Sequence, residues 1–401
     1  MYPTVAYWKE TNTHPMITRQ ISVKLDLQYP FTYDKNKILF FDIETTGFSA
    51  ETTYLYLIGC IYYKDSSFQL IQWFSEGIDE EALVLKTFFE FSKNYTVLIH
   101  FNGSGFDIPY LLRKCFQLKL PYSFDHMQGI DLYKEIYPYR KILRLPNCKQ
   151  RTIERFLHIS RKDTFVGGDL IEVYQSYLGK KRYEILKRRH LAVSGKETGA
   201  VKSPSEEEAS ESDRLLGQLL LHNEDDVKGL VQVCPILTYA DLFEKPIHIQ
   251  NAGIEGTMLI IEFALISSLP VSIQFHTDNL SFQAHENAAS LRIPLFQGEL
   301  KYFYENYKDY FYLPAEDRAI HKSLAAFVDK DYRQKAKPAT CYTRKQGIFV
   351  PQYEPVITPY FQQKHSDKIT FLEIHTDFLL QEENLERYVS HILSHMINGK
   401  S

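Results

Sequence analysis

Five side chains carry the chemistry this 401-residue sequence can offer: Asp42 and Glu44 in KILFFDIETTGF, Asp107 in FNGSGFDIPYLL, and His222 and Asp226 in LLLHNEDDVKGL. Asp42 and Glu44 follow an apolar run over residues 38–41, which reads as a buried central strand. Alternate side chains on a strand share a face, so the two carboxylates point the same way and could converge on cations. Asp107 follows a second apolar run, residues 96–101, and opens a helix whose early Pro109 suits a first turn. In a parallel βα unit that places Asp107 at the carboxyl end of a neighbouring strand, where sites form in open sheets. His222 and Asp226, four residues apart, share one helical face.

Carboxylates that meet without matched basic partners repel one another unless cations neutralise them. Oxygen ligands of this kind favour Mg²⁺ or Mn²⁺. Two such ions about 3.5–4 Å apart would stabilise the attacking hydroxide and the leaving 3′ oxygen of a phosphodiester hydrolysis. His222 has the pKa class to orient or deprotonate the water. The competing reading makes each acid a solvated strand or helix end and His222 a surface histidine, and a lone DxE more often means that. Thr45, Thr46 and Gly47 turn the chain where a substrate backbone could approach. Asn102 could orient Asp107 or substrate, or serve as a turn residue, and Asp131 is either an outer carboxylate or a plain strand end.

The elements that position these groups follow from hydrophobic period. Runs at 38–41, 54–63 and 68–74 with short connections predict an antiparallel meander. Asp79 reads as the N-cap of a helix carrying Leu83, Phe88 and Phe91. A strand at 96–101, a helix to about Gln117, a strand at 129–133 and helices around Ile153, over 169–178 and over 182–189 come next. This order matches a mixed sheet in which the meander continues into parallel units with right-handed crossovers. A late helix over 214–232 buries Leu215, Leu219, Leu220, Val227 and Leu230 and carries His222 and Asp226.

Length favours two domains. Residues 1–36 show no clear period and read as an N-terminal extension wrapping a domain over 37–243; within it 192–213 lacks large apolar side chains and reads as a flexible insertion. Residues 244–401 read as a smaller α+β domain, with strand-like runs at 258–266, 271–275, 291–296 and 369–375 and helical patches at 315–329 and 384–397. A 44% apolar, 24% charged composition describes a globular rather than a disordered chain. A net charge of -4 gives no global basic field, so any nucleic-acid contact must use local patches. Arg140, Lys141, Arg144, Lys149, Arg151, Arg155, Arg161 and Lys162 could form a phosphate track, with a second basic run at 180–189, or they are solvated helix faces. Tyr302, Tyr304, Tyr307, Tyr310 and Tyr312 before a basic stretch could stack single-stranded bases, or be core. Five scattered cysteines argue against disulfides and zinc knuckles, and no apolar stretch suits a membrane span, so a cytoplasmic location with no membrane partner is expected.

DIETTG at 42–47, the N-x-x-x-F-D segment from Asn102 to Asp107, and HNEDD at 222–226 together resemble the three exonuclease motifs of the DEDD, DnaQ-like superfamily with its ribonuclease-H-like fold. The sequence is most similar to predicted bacterial YprB-type ribonuclease-H-like exonucleases. The resemblance implies that Asp42, Glu44, Asp107 and Asp226 bind two metal ions and that His222 activates water. It departs at one point: the branch with three residues before the final acid usually carries tyrosine, and here His222 takes that spacing, with Asp225 an alternative last ligand. The implied activity is metal-dependent 3′-to-5′ hydrolysis of single-stranded or frayed DNA or RNA ends. The alternatives are a catalytically weak module that binds nucleic acid or protein, and a structure-selective endonuclease.

Overall fold

One apolar strand organises the first sheet. In chain order β1 (Ile17–Val23), β2 (Ile38–Thr45), β3 (Leu55–Lys64), β4 (Ser67–Phe74), β5 (Val97–His100) and β6 (Gln128–Asp131) take the spatial order β1-β4-β3-β2-β5-β6. Ile38, Leu39, Phe40 and Phe41 are buried on both faces of β2, which suits a central strand. The β2, β3 and β4 pairings are antiparallel, whereas β2 with β5 and β5 with β6 are parallel. The expected meander thus continues into βα units, and the domain is an α/β mixed sheet of the ribonuclease-H-like kind.

This computed structural model describes residues 16–163, 165, 168–193 and 210–398. The chain forms two units: Met1–Tyr137 with Pro146–Leu237, and Pro138–Leu145 with Thr238–Ser401. In the first, α1 (Glu81–Ser92) and α2 (Asp107–Gln117) cover one sheet face, where Phe88, Phe89 and Leu111 pack against Phe41, Ile43 and Trp73. After α3 (Leu132–Ile136) and α4 (Gln150–Phe156), α5 (Asp169–Val193) and α6 (Glu211–Val233) form a second apolar cluster, in which Tyr174, Tyr177, Leu219 and Leu220 meet Tyr56, Leu57 and Phe74.

Three elements of the first unit differ from the sequence reading. Residues 17–23 form an edge strand on β4, although no period is visible there; only Ile17, Ile21 and Val23 are apolar, because an edge strand is half exposed. Asp79 lies inside a 3-10 turn, and Glu80 stands at the start of α1 with no capping bond, its carboxylate accepting the Glu76 amide instead. α5 is one helix, not two, since its charged outer face requires no apolar repeat. Most of the expected insertion at 192–213 lies outside the described residues; α6 begins at Glu211, capped by Ser210.

The second unit, α+β as expected, starts with α7 (Thr238–Glu244) and the strands β7 (His248–Glu255), β8 (Met258–Ala264), β9 (Ile273–Thr277), β10 (Leu280–His285) and β11 (Ala288–Pro294), which make an antiparallel sheet in the order β7-β8-β11-β10-β9. β12 (Phe296–Phe303) pairs with a later strand, Tyr342–Gln352, and a small sheet grows between the two. The helix expected over 315–329 is instead the hairpin of β13 (Tyr310–Leu313) and β14 (Arg318–His321) with a short α8 (Lys322–Ala325). Asp317 takes a positive φ of 50° at that turn and accepts the Tyr312 hydroxyl at 2.6 Å. The final helix, Glu382–Asn398, buries Leu385, Val389, Ile392 and Met396 as its period predicts.

Gly59 of β3 stands opposite Asp42, and a Cβ there would sit 1.9 Å from Asn223 Oδ1 of α6. Asn223 is fully buried and bonded to Gln72 and Asp42, so it has nowhere to retreat. Gly59→Ala should therefore destabilise the fold by about 1–3 kcal/mol in chemical denaturation. A wild-type midpoint would show that α6 does not rest on this contact.

Candidate functional site

β2 ends where its parallel partner has already stopped. Pairing with β5 finishes at Phe40 and Ile99, which leaves the Ile43 amide free to donate to the Asp107 carboxylate. Asp107 begins α2 and is buried. Its approach loop is held by Asp131, whose carboxylate accepts the amides of Asn102 at 2.7 Å, Ser104 at 3.3 Å and Tyr133 at 3.2 Å. Asn102 takes a positive φ of 58°, and a Cβ on Gly103 would strike the His100 ring at 2.7 Å. Asp131 is a loop anchor, and the close approach of His100 at position 103 admits only glycine.

Beyond β2, the Thr45 hydroxyl donates to the Gly47 carbonyl at 2.8 Å, and the Thr46 hydroxyl accepts the Tyr54 amide at 2.9 Å. These threonines shape the turn with their own hydroxyls. Thr53 binds the Gly47 and Ser49 carbonyls and the Tyr110 hydroxyl, tying this turn to α2. The next residue, Phe48, is 90% exposed, with its ring edge-on to Phe106 at 5.9 Å. The sequence reading passed over it; the available signal was an aromatic residue at the tip of a turn.

α6 supplies the other wall. His222 Nε2 lies 3.0 Å from Asp226 Oδ2 and 3.8 Å from Glu44 Oε1, while its Nδ1 lies 2.6 Å from Asp163 Oδ2. Asn223 donates to Asp42 Oδ2 at 3.1 Å. Asp225 turns away and accepts the amides of Lys162 and Asp163, each at 2.8 Å. Asp226, rather than Asp225, therefore faces Glu44. Asp163 was missed in the sequence, since nothing local marks a loop acid that meets a histidine 59 residues later.

Two residues of the expected phosphate track are paired with carboxylates of the protein. Arg151 Nη2 pairs with Asp163 at 2.9 Å, and Arg161 is forked onto Glu154 with Nη1 2.6 Å from Asp226 Oδ1. In the second unit Tyr304 stacks on Tyr310 at 4.5 Å, and Tyr312 and Tyr342 both bond Asp317, so these tyrosines pack on one another and on the chain.

The electrostatics are uneven. Burial lifts Asp42 well above the usual carboxylate range, and Asp226, Glu44 and Asp107 push it further. Burial likewise raises Glu44 to about 8, against the pull of His222, and Asp107 to about 7, against the Ile43 amide. For Asp226 burial acts upward too, but His222 and Arg161 hold it below the usual value. Burial disfavours a charged His222, yet its bond to Asp226 and the charges of Asp226, Glu44 and Asp163 raise it to about 9. Glu44, His222 and Asp226 offer ligand atoms within 4.8 Å of one another. Acids raised by burial and further by one another, with mostly oxygen donors, fit a divalent cation.

Residues 39–191 match the RNase_H_2 family model of the RNase_H superfamily, a span that ends before α6. No curated protein matches the chain. Among solved structures it is similar to the family B DNA polymerase of the hyperthermophilic archaeon Pyrobaculum calidifontis, at 12% identity and a TM-score of 0.34, over 68% of this chain and 35% of that one. It is also similar to the zinc-bound E. coli ExoI in complex with single-stranded DNA, at 11% identity and a TM-score of 0.25, over 58% of this chain and 55% of that one. The chain thus spans about a third and about half of these two proteins' lengths. Among the described residues no helix is long and apolar enough to cross a membrane.

Asp107, Glu44 and His222 all hold protons more tightly than free side chains do, so the stability each proton contributes is lost as pH rises through about 7, 8 and 9 respectively. Asp226 acts oppositely, but only below the usual carboxylate range. In EDTA, Tm should therefore fall by a few degrees or more between pH 6 and 9. Added Mn²⁺ should raise Tm most at the alkaline end, where it no longer competes with protons. A Tm independent of pH and of Mn²⁺ would remove the case for a cation site.

Proposed function

We propose that this chain is a metal-dependent nuclease that hydrolyses phosphodiester bonds from the 3′ end of single-stranded or frayed nucleic acid. The observation that carries this reading is the convergence of Asp42, Glu44, Asp107 and Asp226 in one largely sheltered site, where burial first and their mutual repulsion second raise three of them. These four acids would hold two Mg²⁺ or Mn²⁺ ions, which would stabilise negative charge on the attacking and leaving oxygens. His222, fixed by Asp163 through Nδ1, presents Nε2 among the acids, where a water-orienting group is needed. The turn at Thr45, Thr46 and Gly47, the Asn102 loop and the exposed Phe48 ring border the acids and suit a strand end whose last base lies against an aromatic face. Five buried cysteine thiols support a reducing, cytoplasmic setting.

A second reading is a module that binds nucleic acid without cutting it. Its support is that both oxygens of Asp226 already face protein cations, Arg161 and His222. Degradation of 5′- and 3′-labelled single-stranded DNA and RNA with Mg²⁺, Mn²⁺ or EDTA separates the two. Stepwise loss from the 3′ end, abolished by EDTA and reduced on the order of 100-fold or more in Asp42→Ala and Asp226→Ala, is the expected result. Binding that survives both substitutions without any cleavage would favour the second reading, and internal cuts would point to an endonuclease.

A further inference from the structure

Arg161 is held more elaborately than an ion pair with Asp226 requires. Its Nε and Nη2 fork onto both oxygens of Glu154, a bidentate geometry that fixes the plane and direction of the guanidinium. Gln150 then bonds Glu154 at 3.0 Å and the Asp226 carbonyl at 2.9 Å, keying α4 to α6. Gly229 makes room for this clamp, because a Cβ there would come 2.4 Å from both Gln150 Nε2 and Glu154 Oε1. On the other side, Asp225 accepts the amides of Lys162 and Asp163, and Asp163 bonds His222. What this scaffold projects into the site is Nη1. That atom is ion-paired with Asp226 Oδ1 at 2.6 Å, a contact that leaves at least one of its two N–H bonds without an acceptor. Among the described residues it is the one buried side-chain nitrogen or oxygen without a hydrogen-bond partner.

A buried donor left without an acceptor is costly unless something else accepts from it. The missing acceptor must be anionic or strongly polar and must reach the same space as the acids. Two divalent ions would balance the four carboxylates and leave the charge of a phosphate uncompensated. We propose, resting on the nuclease reading, that Arg161 is a further catalytic residue, whose Nη1 donates to a non-bridging oxygen of the scissile phosphate. Glu154 is then a positioning residue, which directs the fork without touching substrate.

The test uses the full chain with Arg161→Met, Arg161→Lys and Glu154→Gln. Arg161→Lys keeps a cation near Asp226 and guards against loss of fold in the methionine variant. Three quantities are read: Mn²⁺ affinity by electron paramagnetic resonance, affinity for a nucleoside 5′-monophosphate against its nucleoside in Mn²⁺, and kcat and KM on a single-stranded oligonucleotide. Expected are Mn²⁺ binding equal to wild type or tighter, monophosphate affinity weakened roughly 10-fold with nucleoside affinity unchanged, and kcat lower by on the order of 100-fold with little change in KM. Glu154→Gln should give a smaller loss of the same kind. Mn²⁺ binding that falls in parallel with kcat, or monophosphate binding untouched in both Arg161 variants, would overturn the proposal and leave Arg161 as a counter-charge to Asp226. If the wild-type chain cuts neither DNA nor RNA, the nuclease reading fails, while the monophosphate comparison still decides whether Arg161 contacts phosphate.

Discussion

Repulsion among buried carboxylates is the constraint around which the first unit is built. Asp42, Glu44 and Asp107 are each driven upward by burial before any neighbour is considered, and the neighbouring carboxylates add to the effect against the pull of Arg161 on Asp42, of His222 on Glu44 and of the Ile43 amide on Asp107. Such a group of like charges does not assemble by its own attraction. It is forced together by the packing of Phe41, Ile43, Phe88 and Leu111 on one face and by α6 on the other. The apolar core supplies the free energy that the site consumes, which is a common relation between a fold and a functional centre.

The docking of α6 shows how that force is directed. Apolar contacts fix its distance from the sheet, but they do not fix its rotation. Rotation is set by buried polar groups: Gln72 bonds the Leu220 carbonyl at 2.9 Å and Asn223 at 3.0 Å, and Asn223 in turn reaches Asp42. Arg19 on β1 extends the same network through Gln72 and Glu224. Every member is satisfied, so the network penalises any other register of the helix, because a slip would leave several buried groups without partners. Gly59 and Gly229 serve the same end from the steric side, by admitting Asn223 and the Gln150–Glu154 clamp.

What was legible in the sequence follows from this division. β2 and its two acids were readable because a buried strand needs consecutive apolar residues and because i and i+2 share a face. The meander that continues into parallel units followed from the sequence of short and long connections. Asp107, His222 and Asp226 were marked by local motifs. The parts that stayed hidden depend on partners far along the chain. Asp163 and the Arg161–Glu154 fork sit in and beside an irregular loop whose period says nothing. β1 carries too few apolar residues to announce a strand, and the β13–β14 hairpin is concealed in a stretch whose composition equally suits a helix. Basic residues were countable but not assignable, since a sequence does not distinguish an arginine facing solvent from one locked in a salt bridge.

The two walls of the site solve the same electrostatic problem differently. On the β2 and α2 side protons do the work: Glu44 and Asp107, raised to about 8 and about 7, are partly or mainly protonated near neutral pH. On the α6 side fixed protein cations do it, and Asp226 stays ionised between His222 and Arg161. A divalent ion approaching the first wall would displace mobile protons, which depends on pH. Approaching the second, it meets a carboxylate whose oxygens already have partners, which depends on how firmly those partners are held. Glu154 and Asp163 do that holding, and both are almost fully buried. If the site takes the divalent cations proposed for it, these two supporting acids would matter to its preference as well as the carboxylates they hold in place.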